Sequence, residues 1–538
     1  MRESVLYSNL KKLVSSREYI FLTLLVFFLS YGYFFGHSAI GVDDLCMDRY
    51  LDEYYLLHQG RLFFWLFTRL GLWKGNEEYS FWTADVVGML TILVASILVA
   101  AILLVILSDL GYDNKVAIRT CTIFSCFQIS YPLMFEACIF SGLAKAIGMG
   151  EICCAIAWYI LYNKVNDSKK YKFREFIFSS VLIMIACSTY EAVVPVYLTL
   201  FFIYLILRLQ DSPNLKVTAY QCVAFAIPLG MGFILNIVLK QITKIFLPTN
   251  MVVCLVAANH LGEGYTQPDA LISLFEKYIV KYGIMGIWYF PITVLVVCIL
   301  ILAILWVCDV VKQRKFLLVS FVYLGMIFSL LFLSMIMGDC APYRTCTNFA
   351  MFVGFVFGLL YLRTYKNSSK WIWMYLFMII VLINQINDIN YWFELDYRRW
   401  EQEENTIEKV GSYICANNLE KPIVFVGAYE LSEEIYERIR IPQSAFDRIN
   451  KSYEDWTDRS LLKNRKKAEG ISSVIDWGIN AFGEVNTELI KLFKYSGYDV
   501  KQGTEEMYRE AEQNTGDMES WPNKGCIKDM GSYYIFKW

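Results

Sequence analysis

Apolar residues in this chain come in long unbroken runs, without the short alternation of surface strands or the one-sided stripe of surface helices. Runs of about 14 to 30 residues with little or no charge fall near 19–36, 83–108, 118–135, 142–162, 175–188, 191–209, 217–246, 283–308, 316–337, 345–363 and 371–388. A hydrocarbon layer of about 30 Å takes roughly 20 helical residues to cross. The pattern therefore predicts about eleven transmembrane helices. It changes near Tyr391, beyond which charges are frequent. Two short runs there, "KPIVFVG" from Lys421 and "GSYYIFKW" from Gly531, read as β-strands, and Leu431–Tyr498 reads as charged helices and loops. The expected architecture is an α-helical polytopic membrane protein over residues 1–390, followed by a small α/β domain over 391–538.

Charge placement gives the orientation. Lys and Arg gather in Arg2–Arg17, at Lys115 and Arg119, in Asn163–Glu175, at Arg208 and Lys216, in Lys312–Lys315 and in Arg363–Lys370. Every second loop is basic, the pattern of cytoplasmic loops. The N-terminus is expected in the cytoplasm and, with eleven spans, the C-terminal domain outside. Tyr19–Val42 is too long for the apolar stretch of a cleaved signal, and no small-residue cleavage site follows it.

Composition agrees: 57% of residues are hydrophobic and only 19% charged, with a mean hydropathy of +0.41, far from a soluble chain. The net charge of −2 points to no partner, and nucleic acid is not among those expected. Most of the fifteen cysteines sit inside apolar runs and behave there as small apolar residues. Cys340 with Cys346, and Cys415 with Cys526, could pair in an oxidising compartment.

The loops between the basic ones hold nearly all the chemistry. "GVDDLCMDRYLDEYYLLHQGR" (Gly41–Arg61) opens the first outer loop, 37–82. Asp44, Asp48 and Asp52 share one helical face, and Arg49 with Glu53 is spaced as an ion pair. A solvated stripe accounts for Asp48, Asp52 and Glu53, but less well for the adjacent like charges Asp43 and Asp44, which suit a general base or a site for a cation or a sugar hydroxyl. Glu136 and Glu191, with Tyr131 and Tyr190 nearby, stand at outer ends of apolar runs, where a carboxylate needs a wet cavity or a partner. Lys145 and Glu151 lie within the fourth run. Arg344, beside Asp339 and Pro342, is a lone cation in a short outer loop; facing a wet cleft it would suit a phosphate. His37, His58 and His260 show no metal-ligand spacing, and no phosphate-cradling glycine loop, dinucleotide fingerprint or HExxH occurs.

These residues resemble a known family. A first span ending in Asp43-Asp44, then Arg49, then Gly60-Arg61 before an apolar amphipathic run is similar to the Gtr-type O-antigen glucosyltransferases, polytopic enzymes of the GT-C superfamily. "SYPLMFEACIFSGLAKAIGMG" (Ser130–Gly150) resembles the family's Asn-Pro-rich second outer loop, with Tyr131 in place of the Asn. "STYEAVVPVYL" (Ser188–Leu198) resembles a Tyr-Gln motif, with Glu191 in place of Gln. "APYR" (Ala341–Arg344) resembles a late outer loop, and "KPIVFVG" the strand opening the C-terminal part.

The resemblance implies inverting transfer of a sugar, glucose by family, from a polyprenyl-phosphate donor to a surface polysaccharide at a lipid bilayer. Asp43 or Asp44 would be the general base. Arg344, Arg61 and Lys145, in that order, would bind the donor phosphate. Glu136, Glu191, Tyr190 and Arg49 would line the acceptor and sugar site. No cofactor is firmly implied, although a divalent cation would be compatible. Two alternatives stay open: a flippase for lipid-linked sugars, which should show internal repeats, and a glycan polymerase or ligase using a lipid-diphosphate donor, which should need more than one outer Arg.

Overall fold

The structure, a computed structural model, describes residues 5–42, 44–46, 55–69, 81–140, 142–165, 173–209, 215–247, 292–337, 343–366, 371–432, 434–435 and 473–538. The chain divides into two compact units, Met1–Gly36 with Arg49–Tyr391, and His37–Asp48 with Trp392–Trp538. The segment carrying Asp44 thus groups with the C-terminal part.

In the first unit, α1 (Val5–Ser15) and α2 (Arg17–Gly36) precede two brief helices, α3 (Tyr55–His58) and α4 (Leu62–Arg69). Next come α5 (Phe81–Asp109), α6 (Asn114–Ile129), the short α7 (Met134–Cys138) and α8 (Leu143–Val165). They are followed by α9 (Phe173–Thr189), α10 (Val194–Arg208), α11 (Leu215–Ile245), α12 (Ile292–Gln313), α13 (Phe316–Met337) and α14 (Thr347–Thr364). The unit ends within α15 (Trp371–Ala416). Among the described residues nine helices are long and apolar enough to cross a membrane. The helices α6 and α9, of 16 and 17 residues, are shorter.

Local chemistry explains where helices stop. The third apolar run extends to residue 135, but α6 ends at Ile129 because Pro132 lacks an N–H and biases Tyr131 away from helix. Ser130 closes the end: its N–H and hydroxyl both reach the Cys126 carbonyl, and the hydroxyl lies 2.9 Å from Gln385 Oε1. At its other end, the Asp113 side chain caps the Lys115 and Val116 amides. The last apolar run, expected over 371–388, continues as helix to Ala416, since its charged continuation still favours helix.

Close packing uses small residues, as expected where helices meet in an apolar medium. A Cβ at Gly354 would collide with the Phe124 carbonyl, so α14 lies directly on α6. Charged contacts collect at the helix ends that adjoin the basic loops: Arg119 pairs with Glu18 at 3.1 Å and Arg363 with Asp309 at 2.9 Å, while Tyr162 donates to Asp109 at 2.7 Å.

In the second unit, β1 (Ile423–Val426) is followed by α16 (Val474–Ile479), α17 (Thr487–Tyr495), α18 (Glu505–Gln513), β2 (Ile527–Asp529) and β3 (Tyr534–Lys537). The strands form one sheet in the order β1-β3-β2. β1 runs parallel to β3, with Ile423 opposite Tyr534, and β2 is antiparallel to it. Val424, Val426, Tyr508, Ala511 and Ile535 build its core. Asn486 substitutes for a fourth strand, its side-chain amide bonding both the N–H and the carbonyl of Phe425, at 2.8 and 2.9 Å. Cys415 is an exposed thiol and Cys526 a buried one, not bonded to each other. Cys340 lies outside the described residues.

Candidate active site

The Gln59-Gly60-Arg61 turn follows directly from its sequence. Gly60 adopts φ +75°, its N–H bonds the Leu57 carbonyl, and the Arg61 N–H reaches back to Leu56 at 2.8 Å. This is the glycine-dependent closure of a helix end, and it delivers Arg61 to the start of α4. The stem of Lys240, from α11, covers the face of Gly60 where a side chain would stand. The Lys240 ammonium pairs with Glu191. Ser188 Oγ donates to the Gly60 carbonyl at 3.3 Å and accepts from the Phe63 amide at 3.4 Å. The Gln-Gly-Arg and Ser-Thr-Tyr-Glu motifs, far apart in sequence, are therefore built on one another.

Tyr190 is the hub. It has extended backbone (φ −156°, ψ 111°) between α9 and the tight turn Glu191–Val193, which breaks the helix and buries the ring. The Arg61 guanidinium lies over that ring at 5.1 Å. The Tyr190 phenol lies beside Arg344, whose guanidinium is 5.2 Å from the centre of the Phe140 ring. Burial pushes the Tyr190 phenol up; Arg344 and Arg61 oppose that, and Glu136 adds to it. Tyr190 is thus a neutral hydrogen-bond donor near pH 7. Glu136, in α7, is 1% exposed, and α7 packs against the turn Tyr343–Thr345 that holds Arg344.

Four segments expected from sequence to carry the site converge here: those of Arg61, Glu136, Tyr190-Glu191 and Arg344. Lys145 is buried in the first turn of α8 and makes no hydrogen bond or ion pair with another described residue. Glu151 is buried further along α8, beside Thr347. Asp44 belongs to the second unit; it is buried, and its Oδ2 accepts the Gly41 N–H at 2.6 Å. Asp43, Arg49, His260 and the His58 side chain lie outside the described residues. The His37 imidazole meets the Tyr397 ring edge-on at 4.8 Å. Among the described residues no three His, Cys, Asp or Glu side chains group as metal ligands do.

Sequence reasoning missed Lys240 and Ser188. Lys240 had left a sign: with Lys244 it ends the seventh apolar run on the side where cations are depleted. Ser188 left none, because a serine ending an apolar helix is ordinary.

A family model described as "Glucosyl transferase GtrII" matches residues 32–362, which include the Gly41–Arg61 stretch and all four converging segments. No curated protein and no solved structure matches the chain.

Proposed function

The chain belongs to the GtrII glucosyl transferase family, and from this we propose that it moves glucose from a polyprenyl-phosphate donor to a cell-surface polysaccharide at the outer face of the cytoplasmic membrane. The observation that carries the reading is the meeting of Arg61, Arg344 and Glu136 around Tyr190. Two guanidinium groups beside a neutral phenol donor suit a phosphate monoanion that gains charge as it leaves.

The transfer is an inverting displacement. An acceptor hydroxyl attacks the anomeric carbon, the bond from that carbon to the phosphate oxygen breaks, and polyprenyl phosphate departs with the electron pair. An aspartate of the first outer loop takes the hydroxyl proton. Because Asp44 already holds the Gly41 amide, Asp43 is the better base, with Asp44 shaping the segment. Arg344 and Arg61 take the developing phosphate charge, with Lys145 a further cation on the lipid side. Glu136 and Arg49 contact sugar or acceptor hydroxyls. Glu191 acts through Lys240, holding the turn that presents Arg61. Eleven spans, counting α6 and α9, form a GT-C-like bundle whose groove takes the polyprenyl tail, and the C-terminal unit guides the acceptor glycan.

The test is transfer of radiolabel from polyprenyl-phosphate glucose to surface polysaccharide by purified protein in detergent. Label reaching polysaccharide only when Asp43 and Arg344 are intact supports the reading. No transfer from glucose or other lipid-phosphate sugars, with wild-type protein in liposomes carrying intact lipid across instead, replaces it with a flippase.

A further inference from the structure

Arg399 lies in the part of α15 that belongs to the second unit and is 1% exposed. Its Nε and one terminal nitrogen donate to Asp396 Oδ1 at 3.0 and 2.9 Å, and its other terminal nitrogen donates to Glu403 Oε2 at 2.6 Å. Asp396 and Glu403 sit three residues before and four after it on the same helix, so these pairs are local. One bond is not. The nitrogen facing Asp396 also donates to the carbonyl of Ile40, at 2.7 Å, across 359 residues of sequence. Glu403 extends the network: its Oε1 accepts from the Ser473 hydroxyl at 2.6 Å and the Ile475 amide at 3.1 Å.

Ile40 is itself buried and directly precedes the turn in which Asp44 and Gly41 bond each other reciprocally, Asp44 Oδ2 to the Gly41 N–H and the Asp44 N–H to the Gly41 carbonyl. The guanidinium therefore grips the backbone at the base of the aspartate turn, while its carboxylate partners bind it to α15 and the start of α16. A planar fork with five donors can do this; a lysine ammonium reaches fewer of these acceptors at once.

We infer that Arg399 is a positioning residue, a buried clamp that fixes Ile40 and the Gly41 and Asp44 contact that follows it, and through them sets the rate of sugar transfer. The consequence for rate rests on the glucosyltransferase reading; the clamp does not. A base displaced by about 1 Å can lose about a hundred-fold in rate without affecting how the donor is held. Loss of the clamp thus lowers kcat and leaves the donor KM in place; a merely destabilised protein also loses turnover at unchanged KM, but exchanges faster throughout rather than at the clamped segment alone.

The test uses the full chain in detergent. Removing Arg399 alone would strand two buried carboxylates, so the informative variant combines Arg399→Met with Asp396→Asn and Glu403→Gln. It removes all three charges, and the carbonyl oxygen of the new side-chain amide at position 403 can still accept from Ser473 and Ile475. Hydrogen exchange should rise about ten-fold or more in a peptide covering residues 38–46, as local anchoring is lost, with a peptide covering 186–197 unchanged. Turnover should fall about a hundred-fold with donor KM within about two-fold, and Arg399→Lys should fall between variant and wild type. Unchanged exchange at 38–46 overturns the clamp, whatever turnover does. Faster exchange with wild-type turnover overturns its role in the rate. If wild type transfers no sugar, the glucosyltransferase reading falls, and the exchange comparison still decides the clamp.

Discussion

Arg344 and Arg399 show two uses of one side chain within this molecule. Arg344 and its neighbour Arg61 are only partly buried, and each has an aromatic ring against its guanidinium, Phe140 for Arg344 and Tyr190 for Arg61. Arg399 is fully enclosed, and two carboxylates and a backbone carbonyl take four of its hydrogen bonds. A cation meant to meet a substrate phosphate must keep donor capacity for it, and ring faces orient a guanidinium without neutralising it. A cation meant to hold a fold must be neutralised and hydrogen-bonded throughout, because an uncompensated buried charge is strongly destabilising. On the proposed reading, arginines of one unit receive charge, and in the other an arginine is consumed in placing an acid.

The sharpest break of that comparison is removal of the acid. Asp43→Asn together with Asp44→Asn should cost about 10²- to 10⁴-fold in kcat, the range of a general base, and leave donor KM nearly as it was. Arg344→Ala should cost about 10²- to 10³-fold, as for loss of one group stabilising a leaving oxyanion, and should raise donor KM as well. Arg344→Lys should recover only part, since a point charge replaces a fork. Gly60→Ala forces a side chain into a left-handed position beneath the Lys240 stem. Its backbone cost of about 1–2 kcal/mol would displace Arg61, and about a ten-fold loss in kcat/KM is expected.

The smallest effect concerns an exposed pair in the second unit. The Lys421 ammonium holds the Asp529 carboxyl below its usual value. Such a carboxylate contributes stability above the unfolded value near pH 4 and loses it as pH falls through the lower folded value. Melting of wild type and Asp529→Asn should therefore differ slightly at pH 6 and converge near pH 2; an unchanged difference would contradict the assignment.

Run length made the helical bundle legible, and β-branched and aromatic clusters marked two of the three strands among the described residues. β2, "IKD", is too short and polar to announce itself. The four site segments were legible one at a time, through charges placed where an apolar chain tolerates them poorly. Their meeting at Tyr190 was not, because it depends on helix packing that periodicity does not encode. Arg399 with Asp396 and Glu403 reads in sequence as an ordinary solvated ion-pair ladder. Only burial, and a carbonyl 359 residues away, separates it from one.

The most direct test of the division between the two regions measures donor binding and transfer on the same protein preparations, with polyprenyl-phosphate glucose as ligand. The Asp43→Asn, Asp44→Asn double variant should bind donor as wild type does but transfer sugar about 10²- to 10⁴-fold more slowly. The Arg61→Ala, Arg344→Ala double variant should fail at both. Wild-type transfer by the aspartate variant, or wild-type donor affinity in the arginine variant, would contradict that division.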